Sequence, residues 1–187
     1  MNVYDFDHTI YPGDSTLDFW KWCIPRHPAT LLALPGTLLA AVRFKLGLCS
    51  RNRFKETFYR FLRYIPNIEC DISAFWDQRI SLIEPWYHNQ KSADDVIISA
   101  SPEFLIGPAC QRMGVQWIAS EVDRKTGKLL GENCRGAEKV RRFRQVYPQG
   151  MVNQFYSDSR SDTPVAELAA QAYLVKKGNI KNWRENI

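Results

Sequence analysis

Met1-Asn2-Val3-Tyr4-Asp5-Phe6-Asp7-His8-Thr9-Ile10 opens the chain, and its reading decides the fold. A short apolar run stops at two carboxylates one residue apart, followed by a hydroxyl. Strand side chains alternate with period two, so on a strand Asp5 and Asp7 point to one face. At a strand's carboxyl end the pair can share one divalent cation, and oxygen-only ligands at that spacing suit Mg2+. One carboxylate is then placed to attack and the other to handle a proton. The plainer reading is a strand that runs into an acidic turn, and Asp-x-Asp alone does not separate the two.

Working outward, the same pattern of apolar run and polar stop recurs. Val96-Ile97-Ile98 is a fully apolar run, as expected of a buried parallel strand, and it ends at Ser99-Ala100-Ser101-Pro102. A helix is expected over about 102–113, and a third strand at Val115–Ala119. Residues 121–131 read as a small hairpin around Lys125-Thr126-Gly127. Residues 136–147 are helical and basic. A fourth strand, Gln154–Ser157, stops at Asp158-Ser159-Arg160-Ser161-Asp162. A helix follows at about 164–171, with Pro164 suited to its first turn, and then a fifth strand at Tyr173–Val175. Strands alternating with helices predict an α/β fold with a doubly wound parallel sheet.

One connection is anomalous. The stretch between the first strand and Val96 is too long for a simple crossover. Residues 14–90 are expected to form an inserted helical cap, leaving 1–13 and 91–187 as the core domain. Asp14 or Ser15 suits the cap of a first helix carrying Leu17, Phe19 and Trp20. Residues 29–42 contain no charge, and Pro35-Gly36 is read as a break within them. The run is shorter than the roughly 20 residues a spanning helix needs. Two readings stay open: a buried helical hairpin, or an element that dips into a membrane interface. Residues 41–65 carry seven Lys or Arg against the one acid Glu56, and apolar surface beside basic charge suits interfacial binding. Phe54, Phe58, Phe61, Leu62 and Ile65 mark one face of an amphipathic helix, with the cations opposite expected in solvent. A further helix is expected over 71–90. His27 and His88 have no partner pattern and read as structural.

The chain has 187 residues, 45% apolar and 24% charged, which excludes dominant disorder. Its net charge of +5 favours anionic partners. The five cysteines form no C-x-x-C pair and are odd in number, so no zinc or disulfide framework is expected. Free thiols in a reducing cytosol account for them. No basic n-region precedes the first strand, so no signal peptide is read. Segments 41–65 and 124–144 are basic enough for nucleic acid, but no nucleic-acid motif accompanies them.

Asp5/Asp7, Ser99, Lys139 at a helix start and Asp158/Asp162 thus all fall at the carboxyl edge of the expected sheet, where open α/β sheets bind ligands. In that order, Asp5-Phe6-Asp7-His8-Thr9, Ser99 after Val-Ile-Ile, Gly136-Ala137-Glu138-Lys139 and Asp158-Ser-Arg-Ser-Asp162 resemble the four motifs of the haloacid dehalogenase superfamily. The match covers roughly 1–12 and 91–187. The helical insertion and the Ser-Asp-x-x-x-Asp-x-Pro sequence are similar to its phosphoserine-phosphatase-like branch. His8 departs from the glycine common in that motif. The resemblance implies a Mg2+-dependent phosphatase with a Rossmann-like core. Asp5 would attack phosphorus, and Asp7 would serve as acid and then base. Asp5, the Asp7 main-chain carbonyl and Asp158 would hold Mg2+. Thr9, Ser99 and Lys139 would hold the phosphorylated substrate, and Asp162 would orient Lys139 or a metal-bound water. Two substrate leads remain. One is a small phosphomonoester such as phosphoserine, with Arg51, Arg53 and Arg60 the candidate carboxylate binders. The other is a lipid phosphate, because 29–42, the basic stretch after it and residues 134–162 look similar to phosphatidylglycerophosphate phosphatases of the C type; that reading brings peripheral contact with an anionic membrane. A phosphotransferase or phosphomutase with the same nucleophile is a further alternative.

Overall fold

Strands buried in a parallel sheet must be covered on both faces, and here the cover alternates residue by residue. The structure is a computed structural model, which describes residues 1–184; the last three residues of the expected core segment lie outside the described residues. β1 (Asn2–Tyr4), β2 (Val96–Pro102), β3 (Gln116–Ser120), β4 (Val152–Ser157), β5 (Ala169–Lys176) and β6 (Asn179–Asn182) form one sheet in the order β3-β2-β1-β4-β5-β6. The first five are parallel and β6 runs antiparallel at the edge. This is the doubly wound α/β sheet expected. Val3, Val96, Ile98 and Phe155 pack on one face with Phe143 of α7 (Ala137–Val146) and Val165 of α8 (Thr163–Ala166). Tyr4, Ile97 and Tyr156 pack on the other with Leu105 and Ala109 of α6 (Glu103–Met113). Tyr4, Tyr156 and Tyr173 are register partners across β1, β4 and β5, stacked at 5.0 and 4.9 Å.

Between β1 and β2 the chain carries only helices: α1 (Ser15–Cys23), α2 (Leu34–Lys45), α3 (Arg51–Phe58), α4 (Ile68–Arg79) and α5 (Pro85–Gln90), with 3-10 turns between them. Asp14 caps α1, accepting the Leu17 N–H at 2.9 Å. Phe19, Phe61, Phe75 and Trp76 form its buried aromatic centre.

Several boundaries differ from the sequence reading. Pro35-Gly36 does not break the apolar run: Pro35 lies in the first turn of α2, where its missing N–H costs nothing. The aromatic helix changes from α to 3-10 at Tyr59, and the 71–90 helix divides into α4, a 3-10 turn and α5 at Pro85. The small hairpin over 121–131 is as expected: Val122 and Leu129 form an antiparallel bridge, flanked by the Asp123 N–H on the Lys128 carbonyl at 2.8 Å and the Leu130 N–H on the Glu121 carbonyl at 3.0 Å. The helix expected to reach residue 171 stops at Ala166, because Ala169 and Gln171 pair with Val152 and Gln154 of β4. The ladder hydrogen bonds outweigh the helical preference of the alanines. β6 was not expected. It returns through Lys177 and Gly178, both at positive φ (50° and 76°), the geometry of a two-residue hairpin turn.

Candidate active site

The strand order runs outward from β1 through β2 to β3 on one side and through β4 to β5 on the other. The switch point lies between β1 and β4, and a crevice opens there at the carboxyl ends. β1 stops at Tyr4, so Asp5 and Asp7 stand just beyond it rather than within it. The Asp5 N–H still donates to the Tyr156 carbonyl at 2.8 Å, which fixes Asp5 against β4. The chain then turns sharply, with the N–H groups of Ile10 and Tyr11 both on the Phe6 carbonyl. His8 takes φ 55° in this turn, a left-handed conformation that favours glycine.

Lys139 joins two parts of the site. It is 1% exposed, and its Nζ donates to Asp5 Oδ1 at 2.8 Å and to Asp162 Oδ2 at 2.6 Å. Burial lowers its affinity for a proton, but the two carboxylates more than offset this and hold its pKa above the usual lysine range. Gly136 makes the approach feasible. It sits at φ 59°, and a Cβ there would lie 3.2 Å from the Ser161 carbonyl oxygen. Asp162 is itself braced by the Ser157 hydroxyl at 3.0 Å.

Asp5 Oδ1 accepts from Lys139 and from the Phe6 N–H at 2.9 Å, whereas among the described residues Oδ2 accepts no hydrogen bond. Burial raises the Asp5 pKa to about 7 against the pull of Lys139, with Asp162 and Asp158 adding to the rise. Asp7 Oδ1 accepts the Ser15 N–H at 2.7 Å, and its Oδ2 accepts the Ser101 hydroxyl. Burial, then Asp14, raises the Asp7 carboxyl to about 6. Thr9 is 1% exposed, and its Oγ1 accepts the Asp158 N–H at 2.9 Å, so its hydroxyl braces the loop after β4. Burial also raises the Asp158 pKa, opposed by Lys176 and His8.

β2 does not end at Ile98 as the sequence suggested. It continues to Pro102 through a register irregularity between Ile98 and Pro102. Such bulges re-aim side chains beside active sites. Ser99 is 1% exposed and its hydroxyl accepts the Ser101 N–H at 3.1 Å. Ser101, Asn133 and Lys55 were not read as site residues. Lys55 was expected in solvent, yet its Nζ donates to the Ala100 carbonyl at 2.7 Å and to Asn133 Oδ1 at 2.8 Å. Burial lowers its pKa to about 8, opposed by Asp7 and Asp14. Arg53 and Arg60 are exposed and do not line the cavity described next.

A cavity of about 460 Å³ opens between the inserted helices and the sheet edge. Asp7, Ser101, Lys55 and Asn133 form its floor, with Asp14, Arg51 and Arg135 around it. Trp20, Leu34, Phe54, Phe58 and Phe61 form its walls. Asp5 and Lys139 are buried and do not line it. A second opening, of about 400 Å³, reaches Asp158 from the side of His8 and Lys176.

Among the described residues, no three His, Cys, Asp or Glu side chains stand together as a metal site of their own. Asp5 and Asp158 are two carboxylates close enough for the charge of one to raise the pKa of the other, and an all-oxygen pair of this kind fits Mg2+. That ion takes one or two protein carboxylates and completes its shell with water and phosphate oxygen.

Residues 3–167 match the family described as haloacid dehalogenase-like hydrolase. The chain is 31% identical over 197 residues to Protein CicA of Caulobacter vibrioides, covering 94% of this chain and 86% of that one. It is 28% identical over 116 residues to a histidinol-phosphatase of Neisseria meningitidis serogroup C, covering 51% and 52% of the two chains. Among solved structures, a Bordetella pertussis protein of unknown function superposes with a TM-score of 0.67 at 21% identity, covering 92% of this chain and 87% of that one. A phosphoserine phosphohydrolase-like protein of Francisella tularensis does so at 0.55 and 16%, covering 92% and 86%. These two likenesses are of fold. With the profile match spanning both halves of the sheet and every motif at its edge, the chain belongs to the haloacid dehalogenase-like hydrolase family.

Proposed function

We propose that the protein is a Mg2+-dependent phosphomonoester hydrolase that works through an aspartyl-phosphate on Asp5. The observation that carries this is the division of labour between the Asp5 oxygens. Lys139 and the Phe6 N–H hold Oδ1, and Oδ2 is left to attack. Oδ2 forms a bond to phosphorus as the bond from phosphorus to the leaving alkoxide breaks. Asp7, raised to about 6 and steadied by Ser15 and Ser101, gives its proton to that leaving oxygen. It then takes a proton from the water that attacks phosphorus, and the Asp5 carboxylate is released. Ser99 and Lys139 hold the phosphoryl oxygens as charge builds on them. Asp162 positions Lys139, and Thr9 positions Asp158. Asp5, Asp158 and the Asp7 carbonyl would hold Mg2+, which would offset the repulsion between carboxylate and phosphate. Residues 14–90 act as a cap over this chemistry, on a core of 1–13 and the described residues from 91 on.

The cavity meets the floor at Asp7, the proton donor to the leaving group, so it is the chamber for the leaving alcohol. Its walls are aromatic and aliphatic, and its rim carries Arg51 and Arg135. This supports an amphiphilic leaving group with a further anionic part, as in a phosphatidylglycerophosphate-like lipid drawn from a membrane surface. A second reading is a small metabolite ester of the phosphoserine kind. Asp14 beside Lys55 favours it, since an ammonium and a carboxylate can be held there.

The test is Mg2+-dependent phosphate release across phosphoserine, sugar phosphates, nucleotides and phosphatidylglycerophosphate. Preference for the lipid supports the first reading, and preference for a soluble ester the second. Transfer to an acceptor with little free phosphate would indicate a phosphotransferase. Asp5→Asn is expected to abolish turnover and leave the melting temperature close to wild type. Substantial residual activity would remove Asp5 as nucleophile.

A further inference from the structure

α2 is apolar on both of its sides. Leu34 and Thr37 line the cavity, and Ala40 is buried against the rest of the cap. The opposite face is built of Leu38, Leu39, Val42 and Leu46, at the three- and four-residue spacing of one helical stripe. These side chains are 58, 61, 54 and 67% exposed. Leu32 before the helix and Leu48 after it extend the patch, at 68 and 63%. A helix on a soluble surface turns polar groups to water, and a contiguous apolar patch marks an interaction site.

The charge around the patch identifies the partner. Residues 19–55 contain no Asp or Glu. Arg43 and Lys45 are exposed at the end of α2, and Arg51 and Arg53 at the start of α3. A second copy of this chain, seated on the same face, would set these cations against identical ones with no carboxylate to match. An anionic bilayer surface complements both parts: leucines enter the boundary between headgroups and acyl chains, and the cations meet lipid phosphates. No described helix is long and apolar enough to cross a membrane, so α2 would lie in the plane of the interface.

We propose that Leu32, Leu38, Leu39, Val42, Leu46 and Leu48, with Arg43, Lys45 and Arg53 beside them, form a docking face for anionic bilayers. Its role in substrate delivery rests on the lipid-phosphate reading above. The inner side of the same helix lines the cavity, so a lipid leaving the bilayer at this face has a short path toward Asp7.

The test is flotation of the full chain with vesicles of equimolar phosphatidylcholine and phosphatidylglycerol, compared with pure phosphatidylcholine. Wild type is expected to float with the anionic vesicles and to be released by high salt. Leu38→Glu/Leu39→Glu is expected to bind them at least about ten-fold more weakly. Hydrolysis of p-nitrophenyl phosphate without vesicles is read on the same samples. It is expected to be unchanged in the variant, so loss of docking is seen apart from loss of the phosphatase chemistry. Wild type that hydrolyses p-nitrophenyl phosphate but never floats overturns the proposal, as does a variant that floats like wild type. A dimer in light scattering that Leu38→Glu/Leu39→Glu dissociates, without any vesicle binding, overturns it in favour of self-association.

Discussion

Asp7 is gripped at both oxygens, by the Ser15 N–H and the Ser101 hydroxyl, yet burial beside Asp14 still raises its pKa to about 6. A carboxyl in that state donates a proton below that pH and progressively loses the ability above it. Its acid form matters most when the leaving group is a poor one. For an alkyl phosphate, kcat/KM is therefore expected to fall about ten-fold per pH unit above about pH 7, where Asp5 is already ionised and loss of the Asp7 proton alone controls the rate. For p-nitrophenyl phosphate, whose leaving group needs no proton, the profile is expected to be flatter. Asp7→Asn should cost the alkyl ester on the order of 100-fold or more and the nitrophenyl ester less. Identical pH profiles for the two esters would remove Asp7 as the acid. The carboxylates, Ser99 and Lys139 were legible because each follows a strand or opens a helix in a recognisable pattern. Ser101 and Lys55 were not. The Lys55 partners lie 45 and 78 residues away along the chain, and no local periodicity reports contacts of that range. The one local hint at Ser101 was a second hydroxyl two residues after Ser99, which a strand would place on the same side.

At the scale of elements, the loop over 121–131 is the part of the core that braces the inserted helices. Its turn is held by Asp123 Oδ1, which accepts from the Thr126 N–H and hydroxyl, each at 2.6 Å. The Leu129 N–H donates to Glu56 of α3 at 3.2 Å. Gly127 sits at φ 73°, and a Cβ there would lie 2.6 Å from the Tyr59 carbonyl carbon and oxygen. Gly127→Val is expected to destabilise the protein by about 2 kcal/mol, from left-handed strain and the clash with backbone. It should also raise KM more than it lowers kcat, because Tyr59 lines the cavity while Asp5 and Lys139 do not. Thermal melts and steady-state kinetics check both. A wild-type melting temperature would mean that the loop lifts away from Tyr59 at no cost. Element order was readable from apolar runs and their polar stops. Element ends were less so, because pairing decides them: β5 takes Ala169–Gln171 from the expected helix to meet β4. The local signal for β6 is the Lys177-Gly178 turn between β-branched residues Val175 and Ile180.

At the scale of the whole molecule, the crowded carboxylates make stability depend on pH. Unfolded aspartates titrate near 4. In the folded protein Asp5 is raised to about 7, Asp7 to about 6, and Asp158 is raised as well. Between pH 4 and 7 the folded state therefore holds more protons than the unfolded one, and stability falls as pH rises through this window. Glu138 acts in the opposite sense. Its bonds to Arg141 and Arg142 lower it to about 2, so its contribution is present above the ordinary glutamate pKa and is lost as pH falls toward 2. The two trends place maximal stability of the metal-free protein near pH 4, at the lower end of this window, with a lower melting temperature at pH 7.5. A cation that binds only the folded state stabilises it by about 2.7 kcal/mol at a hundred times its dissociation constant. With Asp5 and Asp158 as the proposed Mg2+ ligands, the ion and protons would compete for the same carboxylates, so the rise in melting temperature on adding Mg2+ should be larger at pH 7.5 than at pH 5. In Asp158→Asn, which removes one of the two carboxylate ligands, that rise should shrink at both pH values. A Mg2+ response that is equal at both pH values, or intact in Asp158→Asn, would show that the ion binds elsewhere.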